Sequence, residues 1–154
     1  MAHNYQFGER SLKNLEKVHP TFVKILEDAL ASPKCPWDVT ITDGARTLAQ
    51  QKEIYAQGRT KPGAIVTWTA PEKSMHVIKK DGYGYAVDFI VCGYSDFSGN
   101  YKKFTTNKEV YKRSRLKEFA KHVINIARQQ GYRVEWGGSW AVDDSPHLQF
   151  MGKI

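Results

Sequence analysis

The feature that most restricts the fold of this sequence is YGYAVDFIV, residues 83–91, a mostly apolar stretch that contains one aspartate, Asp88. Its aromatic and β-branched residues favour a strand, and its apolar character suits the centre of a sheet. Side chains on a strand alternate between its two faces, so Asp88 shares a face with Ala86, and its two neighbours share the other. A carboxylate among such residues is costly unless it is paired or bound to a metal. Asp88 is therefore either salt-bridged to one of the many lysines or a metal ligand.

Three further stretches predict helices. Residues 19–32 and 115–131 repeat apolar side chains at helical spacing. In residues 47–58, Thr47 and Gln50 are spaced as a capping box at the start of a helix.

Short alternating or apolar stretches predict strands at residues 38–42, 132–136 and 147–151, in addition to 83–91. Helices and strands follow one another in mixed order, without a regular βαβ repeat. This order predicts an α+β fold and not a doubly wound sheet. The least regular stretch, residues 92–107, is predicted to be a long loop, which in a compact domain is often functional.

The long loop also raises the question of a calcium site. Asp96, Ser98 and Asn100 alternate like the first ligands of an EF-hand loop. The twelfth position, however, is Asn107 and not the glutamate that such a loop needs, and Gly99 is out of place. The pattern is therefore weak evidence for calcium.

Length and composition exclude several classes of protein. A chain of 154 residues is expected to form one domain with one sizeable core. Its two cysteines, Cys35 and Cys92, are far apart and in no C-x-x-C arrangement, which excludes a zinc ribbon or a redox motif. No apolar run approaches the ~20 residues of a membrane span. Because the first residues lack the apolar core of a signal peptide, we expect the protein to stay in the cytoplasm until it is released.

The net charge of +7 attracts polyanions, such as nucleic acid, anionic lipid headgroups or an acidic cell-wall polymer. Basic residues are spread from Arg10 to Lys153, and no pattern of a nucleic-acid-binding module is present. Nucleic-acid binding thus remains an alternative that rests on charge alone.

A second candidate site lies in DDSPHLQF, residues 143–150, where Asp144 stands three residues before His147. In a turn that leads into a strand, such a carboxylate can lie beside a metal-bound imidazole without ligating the metal, which is where a general base is needed. The alternative is that this stretch is simply a polar turn. The remaining histidines are predicted to be surface or helix residues: His3, His19 and His122.

The stretch SMHVIKKDGYGYAVD, residues 74–88, adds His76 upstream of Asp88. Together with His147, these residues would supply two imidazoles and one carboxylate, leaving a fourth position open, as in one kind of catalytic zinc site. Zinc bound in this way lowers the pKa of its water to about 7. Each motif is weak evidence alone, and both in one short chain are stronger evidence.

With these motifs, the sequence resembles the zinc peptidases that include D-alanyl-D-alanine carboxypeptidases and dipeptidases and the phage L-alanyl-D-glutamate endopeptidases. Their signature, S-x-H-x-x-G-x-A-x-D and a distant acid-x-x-H, is matched by residues 74–76, 84–88 and 144–147. Residues 43–67 also resemble the corresponding stretch of the phage endolysins. One departure is that seven residues, not two, separate His76 from the glycine. This insertion contains Asp-Gly, a hairpin-turn dipeptide that could return the strand to the same place.

The resemblance implies a small single domain, 1–154, with a mainly antiparallel sheet flanked by helices, as in DD-peptidases. It implies that His76, Asp88 and His147 bind one zinc ion per chain. It also implies that Asp144 is the base that takes a proton from the attacking water and later returns it to the leaving amine.

The resemblance implies substrate-binding roles as well. Arg46 matches the arginine that engages a substrate carboxylate, a task that suits a planar guanidinium. Gln51 and Ser74 match positions that line the site. Trp136 and Trp140, on either side of a Gly-Gly pair, are predicted either to wall the cleft or to pack in the core.

The function that the resemblance implies is hydrolysis of the L-Ala-D-Glu bond in the stem peptide of bacterial peptidoglycan, in the role of a phage endolysin in host cell lysis. Such an enzyme is stored in the host cytoplasm and released late to the wall. One alternative is a D-Ala-D-Ala carboxypeptidase or dipeptidase, and another is a non-catalytic zinc-binding interaction domain. We expect a monomer whose partner is the stem peptide, with no specific nucleic acid and no membrane insertion.

Overall fold

The structure is a computed structural model that describes residues 5–67 and 70–154. Its helices are α1 (Glu9–Asn14), α2 (Pro20–Ala31), α3 (Leu48–Ala56), α4 (Asn107–Val110) and α5 (Arg113–Gln129). Its strands are β1 (Asp38–Asp43), β2 (Ala86–Ser95), β3 (Tyr101–Lys103), β4 (Tyr132–Trp136) and β5 (His147–Lys153). Short 3-10 turns occupy Pro71–Lys73 and Gly137–Ser139. None of the helices in these ranges combines the length and the hydropathy needed to cross a membrane.

The strands form one antiparallel sheet in the order β1-β2-β5-β4, and β3 pairs with the far end of β2. The strand predicted from residues 83–91 is β2, which lies between β1 and β5 as its apolar composition requires. The predicted α+β class, with a mainly antiparallel sheet and flanking helices, is confirmed.

The core lies between the sheet and the helices α2 and α5. The ring centroids of Phe119 in α5 and Phe89 in β2 are 5.3 Å apart, and those of Phe22 in α2 and Phe150 in β5 are 5.8 Å apart. Burying a side chain of this size contributes about 1.5–3 kcal/mol. The α2 residues that the helical spacing predicted to be apolar and inward are all buried: Phe22, Ile25, Leu26, Ala29 and Leu30. Because Phe89 faces this core, its neighbour Asp88 points to the other side of the sheet.

The helix α3 begins as the sequence predicted. The Thr47 side chain accepts from the Gln50 N–H, and the Gln50 side chain accepts from the Thr47 N–H, which is a complete capping box. Just past the helix, Gly58 has a φ of +79°, a left-handed conformation that favours glycine. This helix and the segment before it form one side of the candidate site.

The prediction of a long loop at 92–107 is wrong. Strand β2 continues to Ser95, the chain turns, and β3 returns beside it before α4 begins. The turn is stabilised by Asp96, whose Oδ1 accepts from the N–H groups of Ser98 and Asn100, each at 2.9 Å. The polar alternation that resembled a calcium loop is thus part of a hairpin turn. The strand signal was hidden because all three residues of β3 are solvent-exposed, so no alternation of buried and exposed positions marks the strand.

Candidate metal centre

The sheet itself brings Asp88 and His147 together. They are cross-strand partners in the antiparallel pair of β2 and β5. Next to them, the N–H of Phe89 donates to the carbonyl oxygen of Pro146 at 2.9 Å. Side chains directly opposite each other in such a pair share one face, with Cβ atoms roughly 4.5–5.5 Å apart. The register of the two strands therefore fixes the relative position of these side chains.

His76 reaches the same place through backbone pairing with the segment that precedes α3. The N–H of Arg46 donates to the His76 carbonyl oxygen at 2.7 Å, and the N–H of Ile78 donates to the Arg46 carbonyl oxygen at 2.8 Å. These bonds hold the backbone on both sides of the His76 side chain. They place an imidazole from outside the sheet next to Asp88.

The insertion after His76 forms a tight turn, as the Asp-Gly dipeptide predicted. Gly82 has a φ of +87°, and the Asp81 carboxylate accepts from the N–H of Tyr83 at 3.0 Å. After the turn, the chain runs beside the segment that precedes it, because the Tyr85 N–H donates to the Met75 carbonyl oxygen at 2.7 Å. The inserted residues leave and rejoin the site at fixed points, so His76 and Asp88 converge despite their separation in sequence.

The three predicted metal ligands form a compact group. One ligand atom from each of His76, Asp88 and His147 lies within 4.8 Å of the others. Oδ1 of Asp88 is 3.3 Å from Nε2 of His76 and 3.4 Å from Nδ1 of His147. Both imidazoles are buried, whereas 26% of the Asp88 side chain is exposed. The group is thus sheltered from solvent but open on one side.

The second nitrogen of each imidazole fixes its orientation. Nδ1 of His76 is 2.8 Å from the Gly44 carbonyl oxygen, and Nε2 of His147 is 2.8 Å from Oε1 of Gln149. Because both partners are acceptors, these nitrogens carry the protons, and in the neutral imidazoles that a metal ion requires the nitrogens that face Asp88 carry lone pairs.

Oδ1 of Asp88 is buried and has no hydrogen-bond partner among the described residues. When both imidazoles are neutral, this oxygen therefore faces their two lone pairs with no proton between them. That arrangement is electrostatically unfavourable for the three groups alone. A divalent cation removes this conflict, and outer partners such as Gly44 and Gln149 are usual around metal-binding histidines. The residues fit a metal ion with nitrogen and oxygen ligands.

The two carboxyl groups of the site differ in proton affinity. Without a metal ion, burial raises the pKa of Asp88, but the positive charge of the imidazoles of His76 and His147 in their protonated form outweighs burial and holds that pKa well below its usual range. Burial and the negative charge of Asp88 both raise the pKa of Asp144. In the metal-free site, the surroundings thus keep Asp88 ionised, which suits a ligand of a cation, and make Asp144 the stronger base.

Asp144 lies beside the ligand group, at the turn that leads into β5. Its Oδ2 is 3.7 Å from Nδ1 of His147, and about half of its side chain is exposed. The turn is closed by the His147 N–H, which donates to the Asp144 carbonyl oxygen at 3.0 Å. A Cβ atom on Gly137 would collide with that same carbonyl oxygen, so the close approach of the 3-10 turn requires glycine. The carboxylate is therefore held near the ligands by backbone contacts on two sides.

Residues 3–151 match the family model described as phage L-alanyl-D-glutamate peptidase. The chain belongs to this family. The peptidoglycan L-alanyl-D-glutamate endopeptidase CwlK of Bacillus subtilis (strain 168) is 35% identical over 144 residues, which cover 87% of this chain and 74% of that protein. The L-alanyl-D-glutamate peptidase of Escherichia phage T5 is 34% identical over 86 residues, 56% of this chain and 53% of that protein.

Among solved structures, the chain is similar to the L-Ala D-Glu endopeptidase ChiX of Serratia marcescens. The TM-score is 0.65 and the identity is 27%, over 97% of this chain and 92% of that one. The predicted family and the DD-peptidase-like fold are thereby confirmed.

In this member of the L-alanyl-D-glutamate peptidase family, the ligand group opens into a cleft of about 360 Å³. Arg46, Ser74, Asp144 and Trp140 line the cleft together with the ligand group. The Trp140 ring centroid is 5.0 Å from that of His147. Of the two tryptophans considered from the sequence, Trp140 walls the cleft, and Trp136, 7% exposed, packs in the core.

Gln51 is fully buried behind Arg46 and meets the cleft through it, since its Oε1 accepts from an Arg46 terminal nitrogen at 2.8 Å. Ser74 is also buried, and its Oγ accepts from the His76 N–H at 3.3 Å. Both side chains thus support neighbouring site residues. Their predicted contact with substrate stays a prediction.

The other histidines lie outside the site, as predicted for those the structure describes. His19 caps α2 by accepting from the Thr21 N–H, and His122 on α5 contacts the Ala29 carbonyl oxygen at 2.8 Å. His3 lies outside the described residues.

Sequence reasoning did not find Gln149 or Lys73. Gln149 orients His147, and it could have been found, because residues i and i+2 of a strand share a face. Lys73 lines the cleft at the end of the first 3-10 turn. No pattern distinguishes it from the many other lysines of this basic chain.

Proposed function

We propose that this protein is a zinc-dependent endopeptidase that hydrolyses the L-Ala-D-Glu bond of the peptidoglycan stem peptide. The observation that carries the proposal is the convergence of His76, Asp88 and His147 in a cleft, with Asp144 beside them, in a chain of the L-alanyl-D-glutamate peptidase family. The proteins named above as its relatives carry this activity in their names. The proposal assigns the same reaction to this chain.

Zinc is the metal we propose for the site, held by Nε2 of His76, Oδ1 of Asp88 and Nδ1 of His147. Two imidazoles and one carboxylate, with a further position left open, suit zinc better than calcium or magnesium, which prefer oxygen ligands. When bound, zinc supplies a Lewis acid that polarises the scissile carbonyl and makes water more acidic.

The chain's own residues handle the proton. Asp144 lies beside the ligands without belonging to their group, with its Oδ2 3.7 Å from Nδ1 of His147. Its carboxylate takes a proton from the attacking water and delivers it to the leaving amine, so one group serves as base and then as acid. Arg46 faces Asp88 at 3.6 Å between a terminal nitrogen and Oδ2, and it helps to hold that ligand in place.

The experiment that tests the function is digestion of purified peptidoglycan, followed by mass spectrometry of the released fragments. Cleavage at L-Ala-D-Glu releases peptides that begin with glutamate and leaves alanine on the glycan strand. Release of a terminal D-alanine instead would support a carboxypeptidase of the same family and overturn the proposed bond. The Asp144→Ala variant, carried through the same digestion, controls for contaminating hydrolases.

We further propose that the chain acts as one monomeric peptidase domain, kept in the host cytoplasm until it reaches the wall as an endolysin. The positive net charge favours the polyanionic wall once the protein is released. Cells that express the protein internally should lyse only after their membrane is permeabilised with chloroform. Lysis without that treatment would contradict the proposed need for release.

A further inference from the structure

Two described residues with a permanent positive charge line the cleft: Arg46 and Lys73. They differ in how many described protein groups pair with that charge. Nε of Arg46 donates to Oδ2 of Asp43 at 2.8 Å, and one terminal nitrogen pairs with the same oxygen. The other terminal nitrogen donates to Gln51. Only 12% of the Arg46 side chain is exposed. The guanidinium of Arg46 is therefore largely occupied by hydrogen bonds to other side chains of the protein.

Lys73 is exposed, and it forms no ion pair with any side chain that the structure describes. Its backbone is nevertheless fixed, because its N–H donates to the Ala70 carbonyl oxygen at 2.9 Å and the Ser74 N–H donates to the Pro71 carbonyl oxygen at 3.3 Å. The turn leads within three residues to His76, one of the proposed ligands. Lys73 is thus a cation on a positioned stretch of backbone, with no ion-pair partner among the described side chains.

The positive and negative charges around the cleft indicate a role for Lys73. A divalent cation is offset by the carboxylates of Asp88 and Asp144, and the charge of Arg46 is offset by Asp43. The ammonium of Lys73 is then the uncompensated charge among the described residues that line the cleft. A cleft with this surplus favours an anionic group on its substrate.

The proposed substrate carries such a group next to the bond that is cut. A glutamyl residue inside a peptide uses one of its two carboxyl groups in the chain, and the other is either a free carboxylate or a carboxamide. The carboxylate accepts a charge-assisted hydrogen bond from a lysine, whereas the carboxamide offers no charge.

We propose that Lys73 binds the free carboxylate of the glutamyl residue and makes the enzyme prefer it over the amidated form. This inference rests on the proposed function and adds a specificity determinant to it. Because the contact forms on binding and is kept through the reaction, its loss should raise KM and leave kcat nearly unchanged.

The test uses two synthetic tripeptides, L-Ala-D-Glu-L-Lys with the free glutamyl carboxylate and the same peptide with a carboxamide there. Steady-state kinetics are measured for the zinc-loaded wild type and for Lys73→Gln, Lys73→Arg and Lys80→Gln. Lys80 is exposed on the insertion turn and does not line the cleft, so its replacement removes the same charge elsewhere.

In Lys73→Gln, kcat/KM for the carboxylate peptide should fall roughly tenfold, the value of one hydrogen bond to a charged group. The carboxamide peptide should be cut at the wild-type rate, and Lys73→Arg and Lys80→Gln should retain the preference. Equal loss on both peptides, no loss on either, or the same loss in Lys80→Gln would overturn the assignment of Lys73. A wild type that cuts neither peptide and leaves peptidoglycan intact would instead overturn the proposed function, and the subsite with it.

Discussion

Gly84 and His76 touch through their backbones: a Cβ atom on Gly84 would lie 2.8 Å from the His76 carbonyl oxygen and 2.9 Å from Cβ of Ala45. The same carbonyl oxygen accepts the Arg46 N–H that positions His76. The glycine of the G-x-A-x-D motif is thus required by close backbone approach and not by a special φ angle. Its absent side chain makes room for a neighbouring ligand.

Replacing Gly84 by Ala should therefore displace the backbone of His76. We expect the free energy of unfolding to fall by about 1–3 kcal/mol, as for other overpacked positions, and the affinity for zinc to fall as well. Thermal unfolding and zinc titration measure the two effects. Gly8→Ala is a suitable control, because a Cβ atom there meets no atom within 4 Å. Unchanged zinc affinity in Gly84→Ala would show that this contact does not position His76.

Asp144→Ala should retain zinc and the fold but lose peptidoglycan hydrolysis by roughly 10²-fold or more, the usual contribution of a positioned proton-transfer group. Zinc content and the rate of wall lysis are measured on the same preparation. The control is Asp143→Ala, which removes an exposed neighbour paired with Arg113 and should leave most of the activity. If zinc were lost together with activity, Asp144 would be a ligand and not a base.

His147→Ala should lose most of the bound zinc, because one of the three proposed protein ligands is removed. His122→Ala provides the comparison, since that imidazole hydrogen-bonds to the Ala29 carbonyl oxygen, outside the site. His122→Ala should lower the free energy of unfolding by roughly 1 kcal/mol and leave the zinc content unchanged. Metal analysis of both dialysed variants decides the matter, and stoichiometric zinc in His147→Ala would refute the ligand assignment.

Gln149→Leu should weaken zinc binding roughly 10- to 100-fold by removing the acceptor that orients His147, as is usual for such outer partners. Gln149→Glu keeps an acceptor oxygen in the same place and should retain the affinity. Competition with a chromophoric chelator gives both constants. Equal affinities in the two variants would mean that packing alone sets the ring orientation.

The free energy of unfolding should decrease as the pH rises above about 9, in part because of Cys35. Burial raises the pKa of its thiol from 9.0 to about 12. Between these values the unfolded chain loses the thiol proton and the folded protein keeps it, so unfolding releases a proton and becomes easier as the pH rises. Urea unfolding at about pH 8 and about pH 10.5 should show a smaller decrease in Cys35→Ala than in the wild type. Identical decreases would exclude this contribution.

The fold was largely predictable because its core elements carry strong periodic signals. The α2 side chains at helical spacing are buried, and the alternation around Asp88 placed its neighbours in the core. The hairpin of β2 and β3 was missed, because exposed residues carry little hydrophobic pattern.

The candidate site was predictable only as far as residue type and spacing allow. The ligand group could be named, since imidazoles and carboxylates in two motifs are chemically specific. The hydrogen bond between His76 and the Gly44 carbonyl oxygen could not be predicted, because every residue has a backbone carbonyl and the sequence does not indicate which one accepts. The same holds for the surroundings of Lys73, whose lack of an ion pair with the described side chains depends on which residues lie near it in space.

The turn between His76 and Gly84 has a consequence for how relatives of this protein are recognised. The Tyr85 N–H donates to the Met75 carbonyl oxygen and closes the base of the turn, so the residues above this bond do not separate His76 from Asp88. A sequence motif with a fixed gap would not match this chain, although His76 and Asp88 lie side by side. The tip, Lys79 to Gly82, is exposed and does not line the cleft. It is therefore a place where a short peptide tag could be grafted without changing a residue that lines the cleft.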